Sequence, residues 1–543
     1  MSVVSAAAVI TALVAPAAAV HARTAHAGIK YGGTLTVEDG PKASFTRDFN
    51  PDVGSPTDGT QGMIYEPLLI FNQAKGGKIV KWLASGYKWG AGNKSLTFTL
   101  RQGVKWNDGQ PFTSADIVYD LMLDKKWNSK GFSYCGGCWT YVKSVSAPNK
   151  YTVVINFKSV NTTAIFYIGQ GYVVPKHIFQ KQADPTKFTN PNPVGTGPFK
   201  LGHFSPQVFT LVKNPNYWRK GEPYVSALRY PAYTSNDDAQ LAAVNQEIDW
   251  GGLFIPNAKS VFVGPHPTTN KFWYAQVGGP VAMYLNLTEA PFNNVHVRRA
   301  INYALNRQSY YKVAEYGYEP PSNAALIQPQ FVKKWGDTTA IKTYGSSPNI
   351  AKAKAELAAA GNPDISKPMT LHVVDGWTDW VTMVTLIAND LKAIGMNVTV
   401  QPLQYGDWFS DLQTGKFDMQ ICWTDAGYSP FTIYRDHFLS TNAADIGSVG
   451  GNNWERYKNP AMDKLITQFQ ATSKTTQQET ILKKMERIAA TDVPIVPLTI
   501  GAQWYEYNTT KFVGWPSAKD PFDLPSPFAA PENDIVVQHL HLK

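Results

Sequence analysis

"DWVTMVTLIANDLKAIGMNVTVQPL", residues 379–403, reads as a helix, a stop at Gly395 and a strand carrying Val398 and Val400. Glycine ends a helix because it reaches the left-handed backbone region without a steric penalty. The same order recurs at once in "DWFSDLQTGKFDMQICW", residues 407–423. A helix that alternates with a strand covers a sheet with helices, which is α/β packing. Neighbouring segments agree. "VRRAINYALNR" (297–307) sets Val297, Ala300, Ile301, Ala304 and Leu305 on one helical stripe. "NIAKAKAELAAAG" (349–361) starts at a capping Asn349 and stops at Gly361. A further helix over residues 481–490 precedes the apolar run "VPIVPLTIG".

The chain before this region has another texture. "GGTLTVE" (32–38), "LTFTL" (96–100), "YTVVINF" (151–157) and "FTLVKN" (209–214) alternate as strands do, and Pro/Gly-rich breaks such as "NPNPVGTGPF" (190–199) separate them. From Trp504 the tail is proline-rich and strand-like again. A chain that leaves one lobe, builds another and returns makes a two-strand hinge, and clefts at such interfaces are common ligand sites. The expected crossings lie near Leu285–Thr288 and near Ile500–Gln503.

Length fits this plan, since 543 residues exceed what one core supports. Hydrophobic content of 43% and charged content of 17% belong to a folded chain, not a disordered one. The formal net charge is +9, but the basic residues are scattered, so no nucleic-acid partner is expected. From Val3 to Val20 there is no charge, and Ala25-His26-Ala27 offers a cleavage site before Gly28. Residues 1–27 therefore read as a signal peptide, and the mature chain as exported. In an oxidising compartment Cys135 and Cys138 of "CGGC" read as a local disulfide, with a redox centre or half of a zinc site as the alternatives. Cys422 reads as a buried free thiol. No Walker loop and no "HExxH" is present.

"LTFTLRQGVKWNDGQPFTSADIVYDL" (96–121) adds a strand, a Trp106–Gly109 turn and a helix capped by Thr113 with Asp116. It is joined by "IYEPLL" (64–69), "PVGTGPFKL" (193–201), "KNPNYWRKGEP" (213–223), "PFNNVHVRRAINYALNR" (291–307) and "YKNPAMDKLI" (457–466). Together these resemble the extracytoplasmic substrate-binding proteins of the oligopeptide/dipeptide class (family 5), which feed ABC importers. The resemblance implies a two-lobed periplasmic-binding-protein (Venus-flytrap) fold of three domains. Domain I would take residues 28–65, 190–285 and 500–543, domain II 66–189, and domain III 286–499. It also implies a small-molecule ligand, permease subunits with separate ATPases as partners, and a periplasmic or outer-face location; a monomer without cofactor, metal or catalytic residue is expected, although some family members carry metals. "GWTDW" (376–380), "EIDW" (247–250) and "GWPSAKDPFDLP" (514–525) look most like the members that bind β-linked oligosaccharides such as cellobiose.

Sugar rings present flat CH faces to aromatic side chains, while Asp, Asn and Gln bond the hydroxyls. Trp377 and Trp380 flank Thr378 and Asp379 before a helix, as two stacking platforms and a carboxylate. The other reading has Trp380 stapling that helix and Asp379 capping it. Trp423 and Asp425 end a core strand, where α/β sheets place ligands. Trp250, Trp454 and Tyr428 complete the candidate set. In peptide-binding members an Asp after a Trp-containing strand pairs with the peptide amino terminus. "CWTDAGYSP" offers Asp425, with one residue fewer after the Trp. An exported glycosidase is the remaining alternative, needing two carboxylates roughly 5–10 Å apart, for which Asp375 with Asp379 or Asp379 with Asp425 are the pairs.

Overall fold

The structure, a computed structural model, describes residues 28–425 and 427–543, so the signal peptide read over residues 1–27 lies outside the described residues. Nine strands position the site: β1 (Thr34–Glu38), β2 (Ala227–Pro231), β3 (Trp250–Gly251), β4 (Pro280–Leu285), β5 (Pro368–Val374), β6 (Asn397–Leu403), β7 (Met419–Trp423), β8 (Ile495–Ile500) and β9 (Glu506–Asn508). Two helices matter most, α1 (Ser114–Trp127) and α2 (Thr378–Lys392).

The first lobe is built on a seven-stranded sheet. Its order is Asn270–Phe272, β9, β3, β1, β2, Val208–Lys213, Phe199–Ser205. At its centre β1 runs parallel to both β2 and β3. A separate antiparallel sheet of Ala84–Trp89, Ser95–Leu100, Thr152–Phe157 and Val142–Asn149 packs beside it. The two sheets share one core: Leu35 and Val37 of β1 belong to the same buried cluster as Leu96 and Phe98. Helix α1 covers the smaller sheet. Its Thr113 side chain accepts from Ala115 N while Asp116 Oδ2 accepts from Thr113 N at 2.8 Å, so both orphan donors are satisfied.

The second lobe holds a five-stranded sheet ordered β6-β5-β7-β4-β8. Strand β5 is parallel to β6 and β7, as the helix-then-strand repeat demands, and α2 lies between β5 and β6 in the chain. Its core is a second cluster that includes Val281, Met383 and Ile421. Two clusters make two lobes.

One expected boundary is corrected. Strand β4 pairs with β7 through Val281↔Trp423 to Leu285↔Met419 and with β8 through Pro280↔Ile500. All its residues are buried, so it is a central strand of the second lobe and not the end of domain I. The outward crossing therefore lies at Gly278–Gly279, before residue 280. The return runs through Gly501. There the two crossings touch: Gly278 N donates to Gly501 O and Gly501 N to Gly279 O, each at 3.1 Å. A Cβ on Gly278 would meet Gly501 O, and one on Gly501 would meet Gly279 O, each at 2.5 Å, so only glycine permits this approach. Glu319 braces the same place, accepting from Ala502 N at 2.7 Å and Thr499 Oγ1 at 2.8 Å.

Candidate ligand-binding cleft

Both parallel strand sets aim their carboxyl ends into the gap between the lobes. The loop after β1 contributes Asp39 and Lys42, that after β2 Asn236, and that after β3 Phe254; β5 is followed by Trp377 to Trp380, β6 by Tyr405, and β7 by Thr424 and Asp425. This is where open α/β sheets gather ligands. The space in the cleft, which stays partly open to solvent, is about 1190 Å³, larger than most drug-sized pockets.

The second-lobe wall is a continuous aromatic surface. The rings of Trp377 and Trp380 lie 5.1 Å apart, and both stand near Trp423, at 6.3 and 6.2 Å. Phe409 lies nearly parallel to Trp423 at 6.2 Å, and Trp454 meets Phe409 edge-on at the same distance. Trp408 is fully buried beneath and 5.5 Å from Trp423, supporting the surface without lining it. Across the gap stand Phe254 and Trp504, 5.5 Å apart, on the first lobe.

Polar side chains tie the lobes together around this surface. Trp377 Nε1 donates to Pro41 O at 3.1 Å, and Asn236 Nδ2 donates to Asp379 Oδ1 at 3.0 Å. Burial pushes the Asp379 carboxyl up to about 6, although backbone amides and Asn236 work against it. Asp379 sits in the first turn of α2 behind Trp377 at the cap position, where no side chain caps the helix. Asp425 accepts from Asn452 Nδ2 at 2.6 Å and lies 3.4 Å from His437 Nε2. Burial acts to raise its pKa, but the hydrogen bond and charge of His437, with Asn452, outweigh it and hold the carboxyl below its usual range. His437 in turn is held above the usual imidazole value, because Asp425 more than offsets its burial.

Six of the eight expected ligand residues line the cleft: Trp377, Asp379, Trp380, Trp423, Asp425 and Trp454. Two do not. Trp250 is fully buried in β3, its Nε1 donates to Pro525 O at 2.8 Å, and it belongs to the first-lobe core. Tyr428 packs against Phe71 and Phe166 of the first lobe, at 5.1 and 4.4 Å, so it seals the lobe contact instead of facing a ligand. Asp375 is exposed, bonded to Gln404 and absent from the cleft wall, which removes it from any carboxylate pair. Cys135 and Cys138 are disulfide-bonded, and Cys422 is a buried free thiol. Sequence reasoning passed over Lys42, Asn236, Phe254, Tyr405, Arg435 and Trp504. The signal for several was their place just after a strand.

Two lobes, two crossings and an aromatic cleft define a protein that closes on a solute. The class has a family. Residues 78–445 match the model of bacterial extracellular solute-binding proteins, family 5, and the chain belongs to that family. It is 26% identical to the periplasmic oligopeptide-binding protein OppA of Salmonella typhimurium, over 95% of this chain and 96% of that one. It is 25% identical to the nickel-binding periplasmic protein of Escherichia coli, over 80% and 83%. Among solved structures, a mannohexaose-bound periplasmic oligopeptide-binding protein of Thermotoga maritima superposes with TM-score 0.83 at 24% identity, covering 94% of this chain and 98% of that one. AppA of Bacillus subtilis with a nonapeptide gives 0.78 at 20% identity, over 95% and 100%. At these identities the likeness concerns the fold. The protein is a solute-binding subunit of the family 5 ABC importer type and not an enzyme, which disposes of the glycosidase alternative. Members act outside the cytoplasm, and among the described residues no helix is long and apolar enough to cross a membrane.

Proposed function

We propose that this chain captures an oligosaccharide in the interlobe cleft and presents it, as a monomer, to permease subunits driven by separate ATPases. The observation that carries this reading is the cluster of indoles Trp377, Trp380, Trp423 and Trp454 on one wall, with Trp377 and Trp423 the more exposed members. The mannohexaose in the Thermotoga maritima protein supports it, since a similar fold there encloses a hexasaccharide. On this reading Asp379 and Asp425 accept from ligand hydroxyls, and the finer likeness to cellobiose-type binders names β-linked sugars as the first to try. The domain plan goes with it: domain I from residues 28–65, 190–279 and 501–543, domain II from 66–189, and domain III from 280–500.

Oligopeptide capture is the second reading. It is favoured by Asp425, a carboxylate held ionised at the cleft, and by the OppA and AppA relatives. Calorimetry with cello- and manno-oligosaccharides and with tri- to nonapeptides separates the two. Micromolar or tighter sugar binding, with no cleavage product on chromatography, is the expected result; retention of peptides alone overturns the sugar reading. Asp425→Asn sharpens the test. It should cost about 1–3 kcal/mol for a peptide whose ammonium pairs with it, and clearly less for a neutral sugar.

Closure supplies a further prediction. The Gly278→Ala variant forces a methyl group against Gly501 O, where the two crossings touch. It should bind the wild-type ligand roughly tenfold more weakly or worse, by pushing apart the two crossings on which closure turns. Scattering should then show a ligand-saturated envelope more open than that of the wild type. An unchanged envelope and affinity would mean that the glycine contact is not part of closure.

A further inference from the structure

Away from the crossings the two lobes also meet through a charge. Arg435 stands on the helix Phe431–Phe438 of the second lobe and is 5% exposed. Its Nη1 donates to Asp436 Oδ1 at 2.7 Å, a partner on the same helix that travels with it whenever the lobe moves. Its other contacts lie across the gap. Nη2 donates to Gly136 O, and the guanidinium covers the Tyr167 ring at 4.1 Å, both on the first lobe. A buried cation is costly unless it is paired and hydrogen-bonded. Asp436 neutralises Arg435 in any arrangement of the lobes. The carbonyl and the ring are therefore what closure adds, one as a charge-assisted hydrogen bond and the other as a cation–π contact.

The first-lobe side of this contact is fixed in advance. Gly136 lies between Cys135 and Cys138, whose disulfide closes a four-residue turn with Gly136 and Gly137 at φ of +58° and +72°. Cys135 N donates to Asp124 Oδ1 at 3.2 Å, which ties the turn to α1. The Gly136 carbonyl is thus held where the second lobe arrives. A Cβ on Gly136 would stand 3.1 Å from Arg435 Nη1, so the guanidinium lies directly on the turn. Tyr167 is half-buried on the short helix Ala164–Gly169, beside the Phe166 that meets Tyr428 at 4.4 Å. Residues 428–436 therefore dock as one unit on Phe166, Tyr167 and Gly136. The helix that carries Arg435 also carries His437, 3.4 Å from Asp425 on the cleft wall. One short rigid element joins the ligand wall to the lobe contact.

We infer that Arg435 is a positioning residue for closure, a latch that holds the lobes together by gripping Gly136 O and the Tyr167 ring across the cleft. The inference rests on capture by closure and holds for a sugar or a peptide alike. The test compares the wild type with Arg435→Met, Tyr167→Leu and their double variant. Each is measured by small-angle scattering, without ligand and with cellotetraose, mannohexaose or a nonapeptide, and by binding kinetics with the same probes. A latch engages after encounter, so each single variant should raise the dissociation rate roughly tenfold and leave the association rate within about twofold. Each should also open the envelope relative to the wild type. The double variant should be no worse than the poorer single one, because both groups act through one contact. Arg435→Lys keeps the charge without the planar fork and should recover part of the loss. Should Arg435→Met fail to fold, Tyr167→Leu and the pair Cys135→Ser/Cys138→Ser carry the test from the first lobe, each with the same expected opening. Additive losses, or weaker binding with an unchanged envelope, would make Arg435 an ordinary ligand contact and end the inference while leaving solute capture standing. If no probe binds the wild type, the ligand readings fail and the ligand-free envelopes alone decide the latch. Envelopes that match the wild type in every condition overturn it, whatever binds.

Discussion

The double variant Trp377→Ala/Trp423→Ala is expected to lose roughly 2–5 kcal/mol of binding free energy for the preferred oligosaccharide, on the order of thirtyfold or more in affinity. Each indole lines the cleft half-buried, and a buried aromatic anchor that stacks is worth about 1–3 kcal/mol when truncated. The two rings stand 6.3 Å apart, so their contributions need not add. A double-mutant cycle measures that coupling. Trp377 carries a second role, because its Nε1 donates to Pro41 O across the lobes. Trp377→Phe keeps a ring and loses only that bond, and should cost about 1 kcal/mol through closure. Both alanine variants should unfold near the wild-type temperature, since each ring is only partly buried and Trp408 lies intact beneath. Retained affinity in the double variant would remove the indole wall from the account, and with it the main support for sugar over peptide.

How far the sequence reaches is visible in three kinds of residue. The second lobe was legible because helix and strand follow each other locally: Gly395 takes a φ of +92° between α2 and β6, and that turn fixes their order. Trp377, Trp380 and Trp423 were legible because strand ends announce themselves, and strand ends in a parallel sheet face the site. Trp250 looks the same on that criterion, yet it faces inward. What decides its direction is Pro525, which accepts from its indole 275 positions further along the chain. Tyr428 fails for the same reason, its partners Phe71 and Phe166 lying in another lobe.

The misplaced crossing has a related cause. Residues 280–285 form an apolar run whose partner strands, β7 and β8, come well over a hundred residues later. Periodicity marks such a run as buried but cannot say in which sheet. The glycines that do mark the crossing, 278, 279 and 501, matter only because two distant chain segments touch there. The gathering of acids on the cleft wall is of the same order. The carboxylates of the cleft wall are spread along the chain from Asp39 to Asp445, and no local motif gathers them.

Acids buried throughout the two lobes set the second large effect, on stability against pH. Burial is the leading cause in each: it raises Glu38 and Glu66 to about 7 and Glu319, Glu455 and Glu506 to about 8. A carboxyl whose folded pKa exceeds its unfolded value of about 4.3 binds more protons in the native state between those two values. Its contribution is complete below the unfolded pKa and is lost as pH rises through the folded one. His437, also raised in the native state, loses its contribution in the same direction, while the depressed Asp425 acts the opposite way and only at acid pH. The unfolding temperature should therefore peak near pH 5 and fall by several degrees towards pH 8, reflecting a combined loss on the order of several kcal/mol. Glu506 isolates the cause, being fully buried in β9 and outside the cleft wall, with Oε2 accepting from Leu253 N at 3.2 Å. Glu506→Gln keeps that acceptor and removes the titration, so it should flatten the pH 5–8 slope and leave ligand affinity unchanged. Scanning calorimetry of both proteins at matched ionic strength decides it. A wild-type unfolding temperature that rises from pH 5 to pH 8 would mean that these carboxyls find their counter-charges in the folded protein, and that burial does not govern them.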